Sequence, residues 1–231
     1  MYSFSSLIDT NGGVSCLYHS VHENAFCVAI ETNDYDIRRV SADIGVHEVF
    51  AEACHLLQSK TPIGEIPVSF ARNIDLVLRQ ANLEQKQVAS TEANFAAVAS
   101  SRNSVFVCTA GICRVHLIQE GKPLKMTRDH NWASDWLPTN AISGEVTFEK
   151  NPSAFTVPTR VLGHSSVPGY AEPESQTWPT SDEFTVLICS KDYHRFRDPS
   201  EYVQEYINAD LSEIARTEAG GEGFLALLKR M

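Results

Sequence analysis

The stretch from Phe95 to Thr127 constrains the fold of this chain more than any other. It contains three runs rich in β-branched, aromatic and small apolar residues, "FAAVAS", "SVFVCTAG" and "CRVHLIQEGKPLKMT", with the turn-like segments "SSRN" and "QEGK". Short strands joined by tight polar turns favour antiparallel pairing, because parallel strands need a long crossover connection. We therefore predict an antiparallel meander here.

Two segments before the meander have the period of a helix with one buried face. In each of them apolar residues recur at spacings of three and four. The first set is Val46, Val49, Phe50, Ala53, Leu56 and Leu57, and the second is Phe70, Ile74, Val77, Leu78 and Ala81. The sequence "KTPIGEIP" separates them, so we predict two consecutive helices.

Further strands are expected on both sides. "NAFCVAIE" and "IRRVSAD", separated by "TNDYD", predict a hairpin from Phe26 to about Ala42. The segment from Phe184 to Ser190, "FTVLICS", predicts a buried strand. The later segment "DPSEYVQEYINADLSEIART" predicts a helix, and the chain closes with the apolar run "GFLALLKRM". About 131–170 the chain is irregular, which suggests a flap within a single domain spanning 1–231.

Composition excludes some classes of partner. The chain has 29 acidic and 19 basic residues, a formal charge of −10, and no cluster of Lys and Arg interleaved with aromatic residues. Nucleic acid and anionic membranes are therefore not expected as partners. A secretory signal and long apolar runs are absent, so we expect a soluble cytoplasmic protein with six reduced cysteine thiols.

The order of these elements, and the motifs at their joints, resemble the PPM-type metal-dependent serine/threonine phosphatases, also called type 2C. The resemblance covers nearly the whole chain and is best in the meander, with a Gly-x-x-Arg turn at Gly111–Arg114 and a Thr-x-Asp-His segment at Thr127–His130. It implies an α+β fold in four layers, α-β-β-α, with two antiparallel sheets flanked by helix pairs. It also implies hydrolysis of phosphoserine or phosphothreonine by a water bridging two Mg²⁺ or Mn²⁺ ions.

Two N-terminal motifs of that family are altered here. In the segment "HSVHENAF", His19 stands where the family has a phosphate-binding arginine, and Asn24 stands where it has an aspartate. Of the acidic residues of this motif only Glu23 is kept. Neither a neutral imidazole nor a carboxamide replaces the charged group that is lost. "SADIGVHE" keeps Asp43 at the position of the bridging aspartate but has Ile44 in place of a glycine.

The later motifs are altered as well. Arg114 is kept in its turn, while "LICSKDYH" puts Lys191 at the position of a metal-binding aspartate and Asp192 at that of a glycine. The final motif, "GEGF", offers Glu222. Any residual Mg²⁺ or Mn²⁺ site would therefore use Asp43, Asp192 and Glu222. On a strand, neighbouring side chains point to opposite faces, so Asp192 would need a bulge to replace Lys191.

Lys191 has two interpretations. We predict that its ammonium occupies the space of a metal ion and forms an ion pair with Asp43, because a buried carboxylate needs a counter-charge. The alternative is a strand-end lysine that reaches into solvent. Asp43 could equally be the N-cap of the first helix.

The favoured function is that of a pseudophosphatase, a degenerate phosphatase that acts as a binding or regulatory protein on a partner such as a kinase or another phosphoprotein, without a cofactor. A divergent Mg²⁺- or Mn²⁺-dependent phosphatase, with a reduced site of Asp43, Glu23, Asp192 and Glu222, is the alternative. An unrelated enzyme using Cys113 and His116 has poor geometry, because residues three apart on a strand face opposite sides.

Three smaller hypotheses remain open. His19, His22 and His47 could bind a transition metal, or be exposed residues. Cys108 and Cys113 could bind a metal, or be buried thiols. Trp132 and Trp136 of the flap could anchor a partner, or pin the flap to the protein's own core.

Overall fold

The computed structural model describes residues 1–8, 13–32, 41–59, 61–85, 92–136, 150–163, 172–194, 197–208 and 223–231. The strands are β1 Tyr2–Ile8, β2 Gly13–Val21, β3 Asn24–Thr32, β4 Ala93–Ser100, β5 Ser104–Ala110, β6 Cys113–Gln119, β7 Lys122–Met126, β8 Glu174–Pro179, β9 Phe184–Ser190 and β10 Phe224–Arg230. The helices are α1 Ser41–Gln58, α2 Ile66–Gln85, α3 Trp132–Trp136, α4 Pro152–Thr156, α5 Lys191–His194 and α6 Pro199–Asn208.

The described strands form two five-stranded antiparallel sheets. Sheet I has the order β2-β3-β4-β5-β8, and sheet II has the order β1-β10-β9-β6-β7. Their inner faces share one apolar core, which includes Cys27, Val98, Val115, Ile188 and Phe224. Helices α1 and α2 cover the outer face of sheet I, and α5 and α6 cover that of sheet II. The predicted four-layer α-β-β-α sandwich is confirmed.

The helical period correctly predicted α1 and α2. Their apolar residues pack on sheet I, where Phe70 lies between Phe26 and Phe95 with ring centroids 5.4 and 5.9 Å away. Aromatic pairs of this kind contribute about 0.5–1.5 kcal/mol beyond their buried area. The strand from Phe184 to Ser190 is also confirmed, as β9.

The predicted hairpin from Phe26 to about Ala42 is wrong. Strand β3 pairs with β2 along one edge and with β4 along the other, so neither edge is open to a further strand. Ser41 and Ala42 lie in α1, and residues 33–40 are outside the described part. The hairpin in the structure joins β2 to β3, and its turn places His22 at φ 54°.

The predicted meander is split between the two sheets. β4 and β5 pair in sheet I, whereas β6 and β7 pair in sheet II, and the chain crosses over at Gly111 and Ile112. Gly111 has φ 89°, and a Cβ there would lie 2.1 Å from Oδ1 of Asn94. The crossover therefore needs glycine, because no side chain fits at that position.

The flap contains α3 and α4, which a bridge between Asn131 and Pro158 brings together. Residues 137–149 and 164–171 are outside the described part. Trp132 is 48% exposed, and the proposed role of Trp132 and Trp136 in binding a partner stays a prediction. None of the described helices has the length and apolar character needed to cross a bilayer. All six cysteines are free thiols.

Candidate functional site

Strand ends from both sheets converge at one end of the sandwich. In sheet I, β3 ends opposite the start of β4, and β5 ends beside it. In sheet II, Ser190 at the end of β9 lies opposite Cys113 at the start of β6. We call this region the strand-end site and define it by Glu31, Asn94, Ser190, Lys191 and Gly223.

Gly223 is the point at which the two sheets meet in the strand-end site. It has φ 140°, and a Cβ on it would lie 2.0 Å from Ser190 Oγ and 3.8 Å from Glu31 Oε1. The backbone N–H of Phe224 donates to Ser190 Oγ at 3.1 Å. This contact therefore fixes the serine hydroxyl, and the carboxylate of Glu31 lies beside it.

Glu31 is the functional candidate that the sequence analysis missed. Asn94 Nδ2 donates to Glu31 Oε2 at 3.1 Å, and Asn94 Oδ1 accepts the backbone N–H of Ile112 at 2.9 Å. The Asn94 side chain therefore both donates and accepts a hydrogen bond, and its donor orients the carboxylate of Glu31. The available signal was an acidic residue at the end of the buried run "NAFCVAIE".

Lys191 is the first residue of α5 and not the last residue of a strand. Lys191 and Asp192 are therefore successive helical residues, about 100° apart around the helix axis. The two side chains do not point to opposite faces of a strand, as predicted, because β9 ends at Ser190. Both side chains are partly buried.

A buried ion pair lies between sheet II and the segment that carries α5. Arg114 Nη2 lies 2.9 Å from Asp129 Oδ2, and the two side chains are only 12% and 4% exposed. Arg114 Nη1 also donates to the carbonyl of Arg197, and His194 Nε2 lies 3.4 Å from Asp129 Oδ1. Arg114 therefore joins Asp129, in the segment after β7, to the chain between α5 and α6.

The histidines of this buried cluster are neutral. Burial lowers the pKa of His116 to about 3, and the charge of Arg114 adds to the effect. Burial also lowers the pKa of His194 well below its ordinary value, again with help from Arg114 and then Arg197. His116 Nε2 shares a hydrogen bond with the Tyr202 hydroxyl at 2.8 Å. Among the described residues the charge of Asp129 is therefore balanced by Arg114, which indicates a structural role.

His19, Glu23 and Asn24 lie at the opposite end of the sandwich. Asn24 begins β3 and Glu31 is seven residues further along it, a separation of about 23 Å at the rise of a strand. The carbonyl of Glu23 accepts the hydroxyl of Tyr2 at 3.0 Å, and Tyr2 pairs with Arg230 at the far end of β10. The structure does not bring these three residues to the strand-end site.

Two other predicted residues are only partly covered by the structure. Asp43 lies in the first turn of α1, but its side chain is outside the described part, and Glu222 is outside it altogether. The ion pair between Asp43 and Lys191 therefore stays a prediction. The capping role of Asp43 is wrong, because α1 begins two residues earlier, at Ser41.

The described donors alone do not fit a pair of Mg²⁺ or Mn²⁺ ions, each of which takes about six ligands, mainly oxygens. Next to Glu31 lie an amide with both ends engaged and a hydroxyl that already accepts a hydrogen bond. In the part of the chain that the structure describes, no three His, Cys, Asp or Glu residues are grouped to hold an ion. The hypothetical site of His19, His22 and His47 is therefore not assembled.

Cys113 and His116 are not a catalytic pair. Cys113 packs in the core between the sheets, whereas His116 contacts Tyr202 on the outer side of sheet II. Burial, followed by the charge of Asp129, raises the pKa of the Cys113 thiol well above its ordinary value. A thiol in this state is a poor nucleophile.

No protein-family model matches the sequence, and no curated protein matches it. Solved structures share its fold. The serine/threonine phosphatase of S. agalactiae is 11% identical over 99% of this chain and 98% of its own, with a TM-score of 0.73. Mycobacterium tuberculosis PstP/Ppp is 15% identical over 100% and 98%, with a TM-score of 0.70.

The catalytic domain of PstP in complex with two manganese ions is 13% identical over 99% of this chain and 96% of its own, with a TM-score of 0.69. At these identities the likeness establishes the fold. The chain has the fold of the PPM-type serine/threonine phosphatases, as the order of its elements and motifs indicated.

Proposed function

We propose that this phosphatase-fold chain is a pseudophosphatase that acts by binding a phosphorylated protein partner, such as a kinase. The observation that carries the proposal is the position of Lys191, the first residue of α5, directly after β9. In the motif that this segment resembles, the same position holds a metal-binding aspartate. A cation there favours the binding of an anion over the binding of a metal.

The chemistry of the neighbouring groups supports the proposal. An ammonium only donates hydrogen bonds, so it cannot coordinate a divalent ion, and its charge repels one. Glu31 contributes one carboxylate, which is held by the Asn94 amide. Phosphoryl transfer to a metal-bound water needs several anionic ligands to bring two cations together, and Glu31 is the one carboxylate among the five described residues that define the strand-end site.

Lys191 is also well placed to hold a phosphate group. His194, the last residue of α5, lies 3.4 Å from Asp129, and Arg114 donates to the carbonyl of Arg197 just after it, so the end of α5 that follows Lys191 is anchored. An ammonium on this anchored helix can donate to phosphate oxygens, and charge-assisted hydrogen bonds of this kind are among the stronger ones in proteins. The open end of the sandwich would therefore accept a phosphorylated side chain of a partner.

The test uses isothermal titration of the full chain with a phosphoserine peptide and with its unphosphorylated form. We expect the phosphorylated form to bind more tightly, and Lys191→Met to remove about tenfold of that affinity. Lys125→Met is the control, because Lys125 is an exposed lysine on the distant edge strand β7. Equal binding of the two peptides, or equal binding by wild type and Lys191→Met, would contradict the proposal.

A further inference from the structure

A groove runs along the outside of sheet I between α2 and the start of β8. It is a cleft of about 340 Å³, with Arg72, Asp75 and Arg79 of α2 on one wall and Glu172, Pro173 and Ser175 on the other. We call it the α2–β8 groove. We infer that it binds an extended segment of a partner protein, which pairs with β8 as a sixth strand and directs an acidic side chain at Arg72.

Among the described residues, no strand occupies the outer edge of β8. Within the described residues β8 pairs with β5 alone, so the backbone groups on its other side have no strand partner. Ser175 and Thr177 lie opposite Cys108 and Phe106 of β5, on the helix side of the sheet, and both are exposed. An added strand would satisfy the open backbone groups, as peptides do at other sheet edges.

The other described sheet edges are protected, which distinguishes β8 from them. β1 and β2 lie against each other, with the rings of Phe4 and Tyr18 stacked at 4.7 Å. β7 carries Lys122, Pro123 and Lys125, residue types that discourage edge pairing. β8 has no lysine, and its one proline is its last residue, Pro179.

The charges of the groove define what it would bind. Asp75 accepts Arg79 Nε at 2.7 Å and the backbone N–H of Gly163 at 2.8 Å, so Asp75 balances the charge of Arg79. Arg72 is exposed on the α2 wall, and Glu172 is exposed on the opposite wall. The groove is therefore polarised, and it complements a strand that presents an acidic residue to α2 and a basic residue to Glu172.

The groove is separate from the strand-end site but leads toward it. Glu174 at the start of β8 lies opposite Thr109, next to the end of β5. A partner segment bound along β8 would thus place its continuing chain near the same end of the sandwich as Glu31 and Asn94. The inference does not depend on what the strand-end site does with phosphate.

The experiment pans a phage-displayed library of random 12-residue peptides against the full chain, with subtraction against Arg72→Glu. We expect enriched peptides that contain an acidic residue in a β-prone sequence. In fluorescence anisotropy, a synthetic enriched peptide should bind about tenfold more weakly to Arg72→Glu, and changing its acidic residue to lysine should restore binding to that variant.

Arg102→Glu is the matched control, because Arg102 is 65% exposed and lies at the other end of β5, near Asp182. This variant should bind the peptide as wild type does. N-methylation of alternate peptide bonds should abolish binding, because it removes the donors that pair with β8. The inference is overturned if no enriched peptide depends on Arg72, if the bound peptide is helical by circular dichroism, or if the N-methylated peptide binds equally well.

Discussion

Asn94 donates a hydrogen bond of 3.1 Å from its side-chain amide to the carboxylate of Glu31, across the paired ends of β4 and β3. The same side chain accepts the backbone N–H of Ile112 at the crossover between the sheets. One amide therefore links the acidic group of the strand-end site to the point where the chain changes sheets. A carboxamide is neutral, so the site gains rigidity from it without a second negative charge.

Replacing this amide by a carboxylate should destabilise the protein in a pH-dependent way. Asn94→Asp keeps an acceptor for Ile112 but sets two carboxylates against each other, so we expect the free energy of unfolding to fall by about 1–3 kcal/mol at pH 7. At pH 4 the loss should be smaller, because protonation of one carboxylate relieves the repulsion. Urea denaturation at both pH values measures this.

Asn103→Asp is the control for that prediction, because Asn103 is exposed in the turn between β4 and β5. It should change stability by less than about 0.5 kcal/mol, which is usual for surface substitutions. A loss in Asn94→Asp that is the same at pH 4 and pH 7 would show that the two carboxylates do not face each other.

Gly111→Ala should be far more damaging than Gly121→Ala, although both glycines have positive φ. At Gly111 the new Cβ would lie 2.1 Å from Asn94 Oδ1, whereas at Gly121 the nearest atom is Gln204 Nε2 at 3.9 Å. We expect losses of about 3 kcal/mol or more and about 1 kcal/mol, respectively, in chemical denaturation. Similar losses at both positions would mean that the contact with Asn94 is unimportant.

The elements with strong local patterns could be predicted from the sequence. The apolar period of α1 and α2 depends only on the face that each helix buries, and the β-branched run of β9 is local too. The partners of the strands could not be predicted in the same way. The sequence of β3 and of the segment that follows it predicts a hairpin, yet β3 pairs with β2 along one edge and with β4 along the other.

The strand-end site was predicted only in part, for a related reason. Lys191 was identified because it follows an obvious strand, although its place in α5 was not foreseen. Glu31 was missed because the resemblance to the family motif assigned the acidic group to Asp43. Glu31 stands out only once the strand ends of both sheets are seen to converge, and that convergence depends on strand pairing. The sequence around His19 does not indicate that this residue pairs with β3 near the end opposite to Glu31.

Acid should destabilise the protein through its buried histidines. The pKa of His116 is lowered to about 3, so below the ordinary value of about 6.5 the unfolded chain takes up a proton that the folded chain does not. The contribution of the neutral His116 to the free energy of unfolding is therefore fully present above about pH 6.5 and is lost as the pH falls toward 3. Each such histidine should cost about 1.4 kcal/mol per pH unit in this window.

His116→Gln isolates this effect, because it removes one titrating group from the contact with Tyr202. The free energy of unfolding of the variant, measured in urea from pH 7 to pH 4.5, should fall less steeply than that of wild type by about one proton. Parallel curves for the two proteins would contradict the neutral state of His116.

The predicted ion pair between Asp43 and Lys191 can be tested by a double-mutant cycle. We expect Asp43→Asn and Lys191→Met to show a coupling energy of about 1 kcal/mol or more in their free energies of unfolding, because either change alone leaves an unpaired charge. The same cycle with Lys125→Met in place of Lys191→Met should be additive, since Lys125 is on the exposed edge strand β7. Additivity in the first cycle, to within about 0.5 kcal/mol, would remove the ion pair.

Loss of phosphatase activity is tested by Mn²⁺-dependent hydrolysis of p-nitrophenyl phosphate by the full chain, with Glu31→Ala measured beside it. Because the strand-end site has a lysine after β9 and Glu31 as its one defining carboxylate, it should not hold two ions, and we expect no release of nitrophenol above that of Mn²⁺ alone, for either protein. Hydrolysis by the wild type that requires Mn²⁺ and disappears in Glu31→Ala would contradict this expectation and establish a divergent phosphatase.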